Sequence, residues 1–457
     1  MTTAVDKFHE FDRFGSVLGL ERVNELLRRL GNPHEGLKYI HVAGTNGKGS
    51  TCKFLEKGLT GCGYKVGLYT SPYIEKFNER IQFDGEMISD EELELYGDQA
   101  LAKAAEMVED GLVSPTEFEV VMATAFLYYQ AKKPDIVILE AGMGGLGDAT
   151  NVITEPLASV FTSVHFDHMH ILGNTLAEIA SDKAGIIKRN CPVISNVKDH
   201  EPASVIAKRA YDMNARLYDV SKIKFSIDFA TPEFQQTSME LWQTDYSEVV
   251  TRMIGHYQAE NLKTALATIE VLRKDKKIKV ERSALYAGLK EAVQPGRFEV
   301  MSQDDRYIVL DGAHNDAGAE ALVRAMGELF PEKKVLIVAG MVEKKETDKV
   351  LEHLAEIGSD FIVTQPDYEG RAMDARVFAD NIEEISQNTG KTMNIKGIFT
   401  RASEAVKAAN DMASEYDVVL YTGSLYLIGE IRSILKNRKD YDYDRTLKYG
   451  NNGSTNS

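Results

Sequence analysis

The order of apolar runs predicts an α/β fold: a mainly parallel sheet domain in the N-terminal part and a smaller α/β domain after it. Three observations carry this. Short β-rich runs alternate with helical spacing from residue 38 onward. The alternation restarts after the turn-prone break Gln294-Pro295-Gly296. A glycine-punctuated loop, Gly44-Thr45-Asn46-Gly47-Lys48-Gly49-Ser50-Thr51, joins the first β-rich run to a helical one.

Lys38 to Ala43 alternates and carries β-branched and aromatic residues, so it reads as a strand, whereas Thr51 to Leu59 has helical spacing. Lys65 to Thr70, Asp135 to Glu140, Leu157 to Val164 and Pro192 to Ser195 repeat the strand reading. Residues 215–254 differ, because Lys224 to Phe229 and Met239 to Thr244 predict a small antiparallel appendage, with a helix near Ala259 to Leu272 behind it. After the break, Tyr307 to Leu310, Lys334 to Ala339, Asp360 to Thr364 and Val418 to Tyr421 predict a second sheet. The domains are therefore expected at residues 1–295 and 296–440, with a polar, disordered tail over 441–457 and no internal repeat.

A chain of 457 residues, 43% of them hydrophobic, can bury more than one core. No apolar run approaches the ~18 residues of a membrane span, and Met1 to Arg13 has no signal-peptide core, so a cytoplasmic protein without a membrane partner is expected. Cys52, Cys62 and Cys191 have neither metal nor redox spacing and read as free thiols. The formal charge of -17 argues against nonspecific nucleic-acid binding, which needs Lys and Arg to neutralise phosphate. Anionic small molecules remain open, because local lysines and helix termini set the field inside a pocket.

The loop from Gly44 to Thr51 reads as a phosphate cradle whose amides and following helix N-terminus point at an anion, with Lys48 meeting the terminal phosphates. It departs from the strict phosphate-loop pattern twice: Val42 stands at the first glycine, and Gly49 separates Lys48 from Ser50 and Thr51. Glu140 closes a strand, and the hexamer Gly142-Met143-Gly144-Gly145-Leu146-Gly147 follows it. That hexamer formally matches the dinucleotide fingerprint, with Asp167 at the distance of a ribose-binding acid, yet Asp148 to Pro156 leaves no room for the helix the fingerprint requires. Glu140 is better read as an acid that holds a nucleotide's magnesium, the alternative being a solvated strand end.

His165, Asp167, His168 and His170 crowd the end of the next strand, before Gly173 and a capping box from Thr175 to Glu178. A metal or phosphate site and ordinary loop hydrogen bonding are both open for each histidine. Lys183 interrupts the apolar stripe Leu176, Ile179, Ala180 and Ile187. Either it snorkels, or burial keeps its amine neutral enough to react with carbon dioxide and form a metal-binding carbamate. In the second domain, Arg297 follows the break, and Asp311-Gly312-Ala313-His314-Asn315 follows a strand, where open α/β sheets bind ligands. Gly423-Ser424 repeats that position more weakly.

Taken together, Leu18 to Arg22, Gly44 to Thr51, Thr70-Ser71-Pro72, Glu79-Arg80-Ile81, Phe118-Glu119, Asp148 to Asn151, Asp167-His168 with Leu172-Gly173, Lys183 to Ile186, Pro295-Gly296-Arg297, Asp311 to Asn315 and Gly423 to Tyr426 resemble the folylpolyglutamate synthases, including the bifunctional dihydrofolate synthases, within the Mur ligase superfamily. The resemblance covers nearly the whole chain. It implies a phosphate-loop sheet domain of Mur ligase type followed by a Rossmann-like ligase domain. It further implies an ATP-dependent amide ligase that phosphorylates a substrate carboxylate and couples it to glutamate.

The same resemblance assigns residues. Thr45, Asn46, Gly47, Lys48, Gly49, Ser50, Asn261, Arg297 and Asp311 would contact ATP, with His314 close by and Lys48, Lys183 and His314 taking part in catalysis. Ser71, Glu140 and His168 would hold magnesium at two sites, with Lys183 as a carbamate; the geometry of the loop, not the resemblance, adds Ser50 as a further candidate. Thr116, Glu117, Phe118, Glu119, Gly147, Asp148 and Ala149 match segments that line the pteroate site, where Phe118 could stack on an aromatic ring. Folate or dihydropteroate and glutamate are the implied partners, and a monomer the implied state. Val42 and Gly49 are normal for this family. Leu146, Met122, Asp316 and Lys344-Lys345-Glu346 depart from it, at positions where arginine, threonine, proline and Asp-Lys-Asp are common.

Overall fold

The computed structural model describes residues 3–11, 17–303, 306–342, 347–368 and 371–437. Lys344-Lys345-Glu346 and the predicted tail over 441–457 lie outside the described residues. The chain divides into two units: the first comprises residues 1–226, 237–250 and 258–292, the second 227–236, 251–257 and 293–457.

The first unit is built on an eight-stranded sheet. Its strands are β1 (Tyr39–Ala43), β2 (Val66–Tyr69), β3 (Ile81–Phe83), β4 (Glu86–Met87), β5 (Ile136–Glu140), β6 (Ala158–Phe161), β7 (Val193–Ser195) and β8 (Leu217–Asp219). The order is β4-β3-β2-β5-β1-β6-β7-β8, with β3 and β4 antiparallel at one edge and the other six strands parallel. From β1 the chain moves to one side and from β6 to the other, so the loop after β1 stands where the strand order reverses, and such a crevice takes ligands. All five residues of β1 and of β5 are buried, as a strand covered on both faces requires.

The helix Lys48–Gly61 packs against the helix Arg282–Lys290 through glycines, since a side chain on Gly61 would come within 2.5 Å of the Ala284 carbonyl. On the helix Glu117–Lys132, Val120 to Tyr129 are buried without interruption, which is why no amphipathic period marks it.

The appendage is a three-stranded sheet of β9 (Phe225–Ala230), β10 (Gln235–Leu241) and β11 (Thr244–Thr251), in the order β11-β10-β9. Met239 to Thr244, read above as one strand, is instead the end of β10, a two-residue turn and the start of β11. Trp242 and Gln243 both have positive φ, 48° and 72°, which the sequence does not announce because neither is glycine. A connection this short joins antiparallel strands only.

The second unit carries a six-stranded sheet of β12 (Glu299–Gln303), β13 (Arg306–Asp311), β14 (Val335–Ala339), β15 (Asp360–Val363), β16 (Asn394–Ile398) and β17 (Val418–Thr422), ordered β12-β13-β17-β14-β15-β16. Only β12 is antiparallel to its neighbour. The strands not foreseen, β12 and β16, are edge strands whose mixed polar sequence lacks a continuous apolar run. Apolar clusters cover both faces, one including Val309, Ile337 and Phe378 and the other Leu310, Val338 and Ile431. Among the described residues, no helix is long and apolar enough to cross a membrane.

Candidate active site

The helix after β1 begins at Lys48, earlier than its periodicity predicts, because Gly49 and Ser50 are weak helix formers tolerated in a first turn. Gly47 caps it with φ 84°, and a side chain there would collide with the Asn261 amide, so glycine is required on both counts. Asn261 is thereby brought to the loop, its Nδ2 donating to Gln258 Oε1 at 2.9 Å. The loop is stitched to the segment after β6: Thr45 N donates to Ser163 O (2.8 Å), Asn46 N to Ser163 Oγ (3.1 Å) and Thr162 Oγ1 to Asn46 O (2.7 Å). Lys48 Nζ turns back onto Thr45 O at 3.2 Å, and Ser50 is buried.

β2 and β5 are parallel neighbours, which brings Ser71 beside Glu140: Ser71 N donates to Glu140 Oε2 at 3.3 Å. Glu140 is buried at the end of β5, and its charge helps raise the buried Cys52 thiol, after burial itself. Among the described residues, no three His, Cys, Asp or Glu side chains gather as a metal cage. Serine and carboxylate oxygens are nonetheless the hard donors a magnesium ion takes, and that ion keeps several waters.

Lys183 does not snorkel. It is 4% exposed at the end of the helix Leu176–Lys183, and its Nζ donates to Gly44 O at 3.0 Å. Burial, with the nearby Lys48 charge adding, pulls its pKa down to about 7, while Asp167 and Asp182 oppose. His168 caps a short helix, Met169–Leu172, with φ 49°, and its Nε2 lies 3.7 Å from Asp167 Oδ2. The capping box of Thr175 and Glu178 forms as predicted.

The glycine hexamer is a packing device. Gly144 and Gly145 let the loop lie on the end of the lysine-bearing helix, where Gly145 N donates to Asp182 Oδ1 (2.8 Å) and Leu146 N to Asp182 O (2.9 Å). Only a four-residue 3-10 turn, Ala149–Val152, follows it, not a long helix. Leu146, the departure from the family's arginine, is 56% exposed, whereas Met122 is fully buried.

Thr116 and Glu119 form a capping box on the helix Glu117–Lys132, and Glu119 also receives Arg22 at 2.9 and 3.0 Å. Glu119 therefore holds the helix start rather than facing outward. Phe118 lies against Gly142, where a side chain would come within 2.5 Å of the ring. Arg80 sits over the rings of Phe77 (5.1 Å) and Phe118 (5.7 Å) and donates to Glu117 Oε1 at 2.9 Å. Gly147 is pinned by Gly19 N at 2.9 Å, and Asp148 accepts Met143 N (2.8 Å) and Thr150 N (3.0 Å). Arg22, Arg80 and His41 were not singled out as site residues. Arg22 and Arg80 do fall inside the family motifs quoted above, which is the one clue that could have found them.

In the second unit, Asp311 ends β13 and is buried; Phe298 N (2.8 Å), Ala313 N (2.8 Å) and Tyr257 Oη (3.2 Å) all donate to it. Burial raises its pKa, opposed by Arg297 and these donors. His314 Nδ1 is 2.8 Å from Gly312 O, and a carbonyl only accepts, so Nδ1 carries a proton. Asn315 caps the helix Asp316–Leu329, and Ser424 caps the helix Leu425–Lys436.

A phosphate loop on a mainly parallel sheet, with a buried lysine beside it, defines an ATP-using ligase of the Mur class: residues 42–269 match the Mur ligase middle domain and residues 296–425 the Mur ligase glutamate ligase domain. A Bacillus subtilis dihydrofolate synthase/folylpolyglutamate synthase is 36% identical over 93% of this chain and 96% of its own length. The chain belongs to the folylpolyglutamate synthase/dihydrofolate synthase family. A Mycobacterium tuberculosis folylpolyglutamate synthase complexed with ADP and AMPPCP superposes with a TM-score of 0.85 at 25% identity, covering 96% of this chain and 99% of that one. An Escherichia coli protein in complex with DHPP and ADP gives 0.82 at 26% identity, covering 96% and 98%.

Proposed function

We propose that this protein joins L-glutamate to a folate in an ATP-dependent reaction, and that dihydropteroate is a second acceptor. The observation that carries the reading is the pair of lysines at one loop: Lys48 in the first turn of the helix, and Lys183 buried against Gly44 O. A carboxylate resists amines until it is activated. The γ-phosphoryl group passes to the carboxylate oxygen, releasing ADP. The glutamate amine then attacks the acyl carbon, phosphate leaves, and the amine loses its proton as the amide forms.

In this reading the amides from Gly47 to Ser50 cradle the phosphates, Thr45 and Asn46 shape the loop through their amide bonds to Ser163, and Lys48 neutralises charge that grows on the phosphates during transfer. Asn261, Arg297 and Asp311 contribute to nucleotide binding, Asp311 by shaping its own loop. His314, with Nδ1 held by Gly312 O, is assigned to the attack step. Ser50, Ser71, Glu140 and His168 would hold magnesium together with a carbamate on Lys183, formed when the neutral amine adds carbon dioxide and releases a proton. Bound magnesium would neutralise and orient the phosphate oxygens. Thr116 to Glu119 and Gly147 to Ala149 are assigned to the pterin side, with Phe118 as its aromatic face and Arg22 and Glu119 as supports. A cytoplasmic monomer, where ATP and reduced folates are supplied, completes the proposal.

ADP release with magnesium tests it, supplying tetrahydrofolate or dihydropteroate in turn, with and without glutamate. Turnover that requires both glutamate and a pterin is expected. Turnover indifferent to both pterins would sink the folate assignment.

A further inference from the structure

Below the loop 142–148 runs a chain of polar groups sealed from solvent. His41, in the middle of β1, is fully buried, and its Nε2 lies 2.8 Å from Thr150 Oγ1. Thr150 Oγ1 in turn donates to Asp148 Oδ1. A hydroxyl has one proton to give, so Thr150 must accept from His41, which fixes the imidazole as the Nε2–H tautomer. The buried Nδ1 of His41, which has no hydrogen-bond partner, is then a bare lone pair and not an orphaned donor. Burial, with the nearby Lys188 charge, keeps this ring neutral.

The far end of the chain is the pterin wall. Asp148 Oδ2 accepts the Met143 amide at 2.8 Å, and the adjoining Gly142 is the surface on which the Phe118 ring rests. Asp148 is only 2% exposed, so its carboxylate acts by holding that backbone. We infer that His41 is a positioning residue for the pterin-bearing substrate, acting through Thr150 and Asp148 on the Gly142–Met143 backbone and hence on Phe118. The inference rests on the reading that Phe118 and Asp148 line the folate site.

His41 lies two residues before the end of β1, which leads into the phosphate loop. A merely structural role would therefore disturb ATP and pterin alike, whereas the loop's own anchors are Ser163 and Thr162. The test is steady-state KM for the pterin substrate and for ATP in Thr150→Val, Thr150→Ser, His41→Leu and His41→Gln. Valine matches threonine in shape without the hydroxyl, serine keeps the hydroxyl, and a glutamine amide can donate where Nε2 does. Thr150→Val and His41→Leu should raise the pterin KM about tenfold and leave the ATP KM within about twofold, while Thr150→Ser and His41→Gln recover most of the loss. If His41→Leu fails to fold, the Thr150 pair decides alone. A pterin KM unchanged in Thr150→Val, or one that rises together with the ATP KM, overturns the inference while the folate reading stands. A wild-type enzyme inert with both pterins overturns the two together.

Discussion

Both sheets place polar groups at the carboxyl ends of parallel strands, yet the two edges treat those polar atoms in opposite ways. In the first unit the amino groups of Lys48 and Lys183 donate to neutral backbone carbonyls, Thr45 O and Gly44 O. A phosphate would be a far better partner for Lys48, because charge-assisted hydrogen bonds are roughly twice as strong as neutral ones. In the second unit the charged group at the strand end, Asp311, already accepts two amides and a hydroxyl from its own surroundings. In the proposed reading the first edge receives an anion, whereas Asp311 at the second is already a satisfied part of its own loop. Chemistry is therefore expected to be most sensitive at the first edge and folding at the second.

The sharpest way to break this contrast is Lys48→Ala. It should lower kcat by ~10³-fold, the scale on which a single charge-stabilising donor acts in a transition state, with stability little changed. Rapid-quench measurement of ADP formation checks it, and near-normal transfer would end the distinction. Lys183→Ala should lose ~10²-fold, and short carboxylates in the buffer should restore part of the loss, since they supply the oxygens a carbamate would have brought. Turnover that is unaffected would reject the carbamate. At the other edge, Asp311→Asn sets an amide NH2 against one of the two backbone donors. Stability should fall by about 1–3 kcal/mol in chemical unfolding. A large fall in kcat with stability intact would mean that Asp311 acts on substrate directly.

The same contrast explains what the sequence could say. β5, β14 and β17 are legible because a strand covered on both faces needs a nearly continuous apolar run, whereas β1, interrupted by His41, is legible from its alternation and β-branched residues. The edge strands β12 and β16 lack that need, so their residues carry no such mark. Lys183 was conspicuous as a charge on an apolar stripe, but whether it snorkels depends on where Gly44 O lies, and that is a tertiary fact. The glycine hexamer was rightly denied a dinucleotide, for lack of room. Its real reason, close packing on Asp182 and Lys183, needs partners 35 or more residues away in the chain, as the 37-residue separation of the Gly145–Asp182 bond illustrates. His41 could not be found from its neighbours at all, because its meaning comes from Thr150, 109 residues on.

The smallest expected effect lies at the second edge and concerns a departure from the family. Asp316 is the first residue of the helix Asp316–Leu329, just after the cap Asn315. It pairs with Lys349 at 3.1 Å and His353 at 3.0 Å, and its side chain is 41% exposed. Exposed pairs of this kind contribute roughly 0–1 kcal/mol each. Proline suits a first helical position, where its missing N–H has no intrahelical acceptor to lose. Asn315 already has the extended backbone that a residue before proline prefers, with φ -137° and ψ 166°. The gain in chain stiffness should offset most of the lost pairing, so Asp316→Pro is expected to shift stability by less than about 1 kcal/mol and to leave KM for ATP unchanged. A larger destabilisation in urea unfolding would mean that the Lys349 and His353 pairs tie this edge together more tightly than their exposure implies.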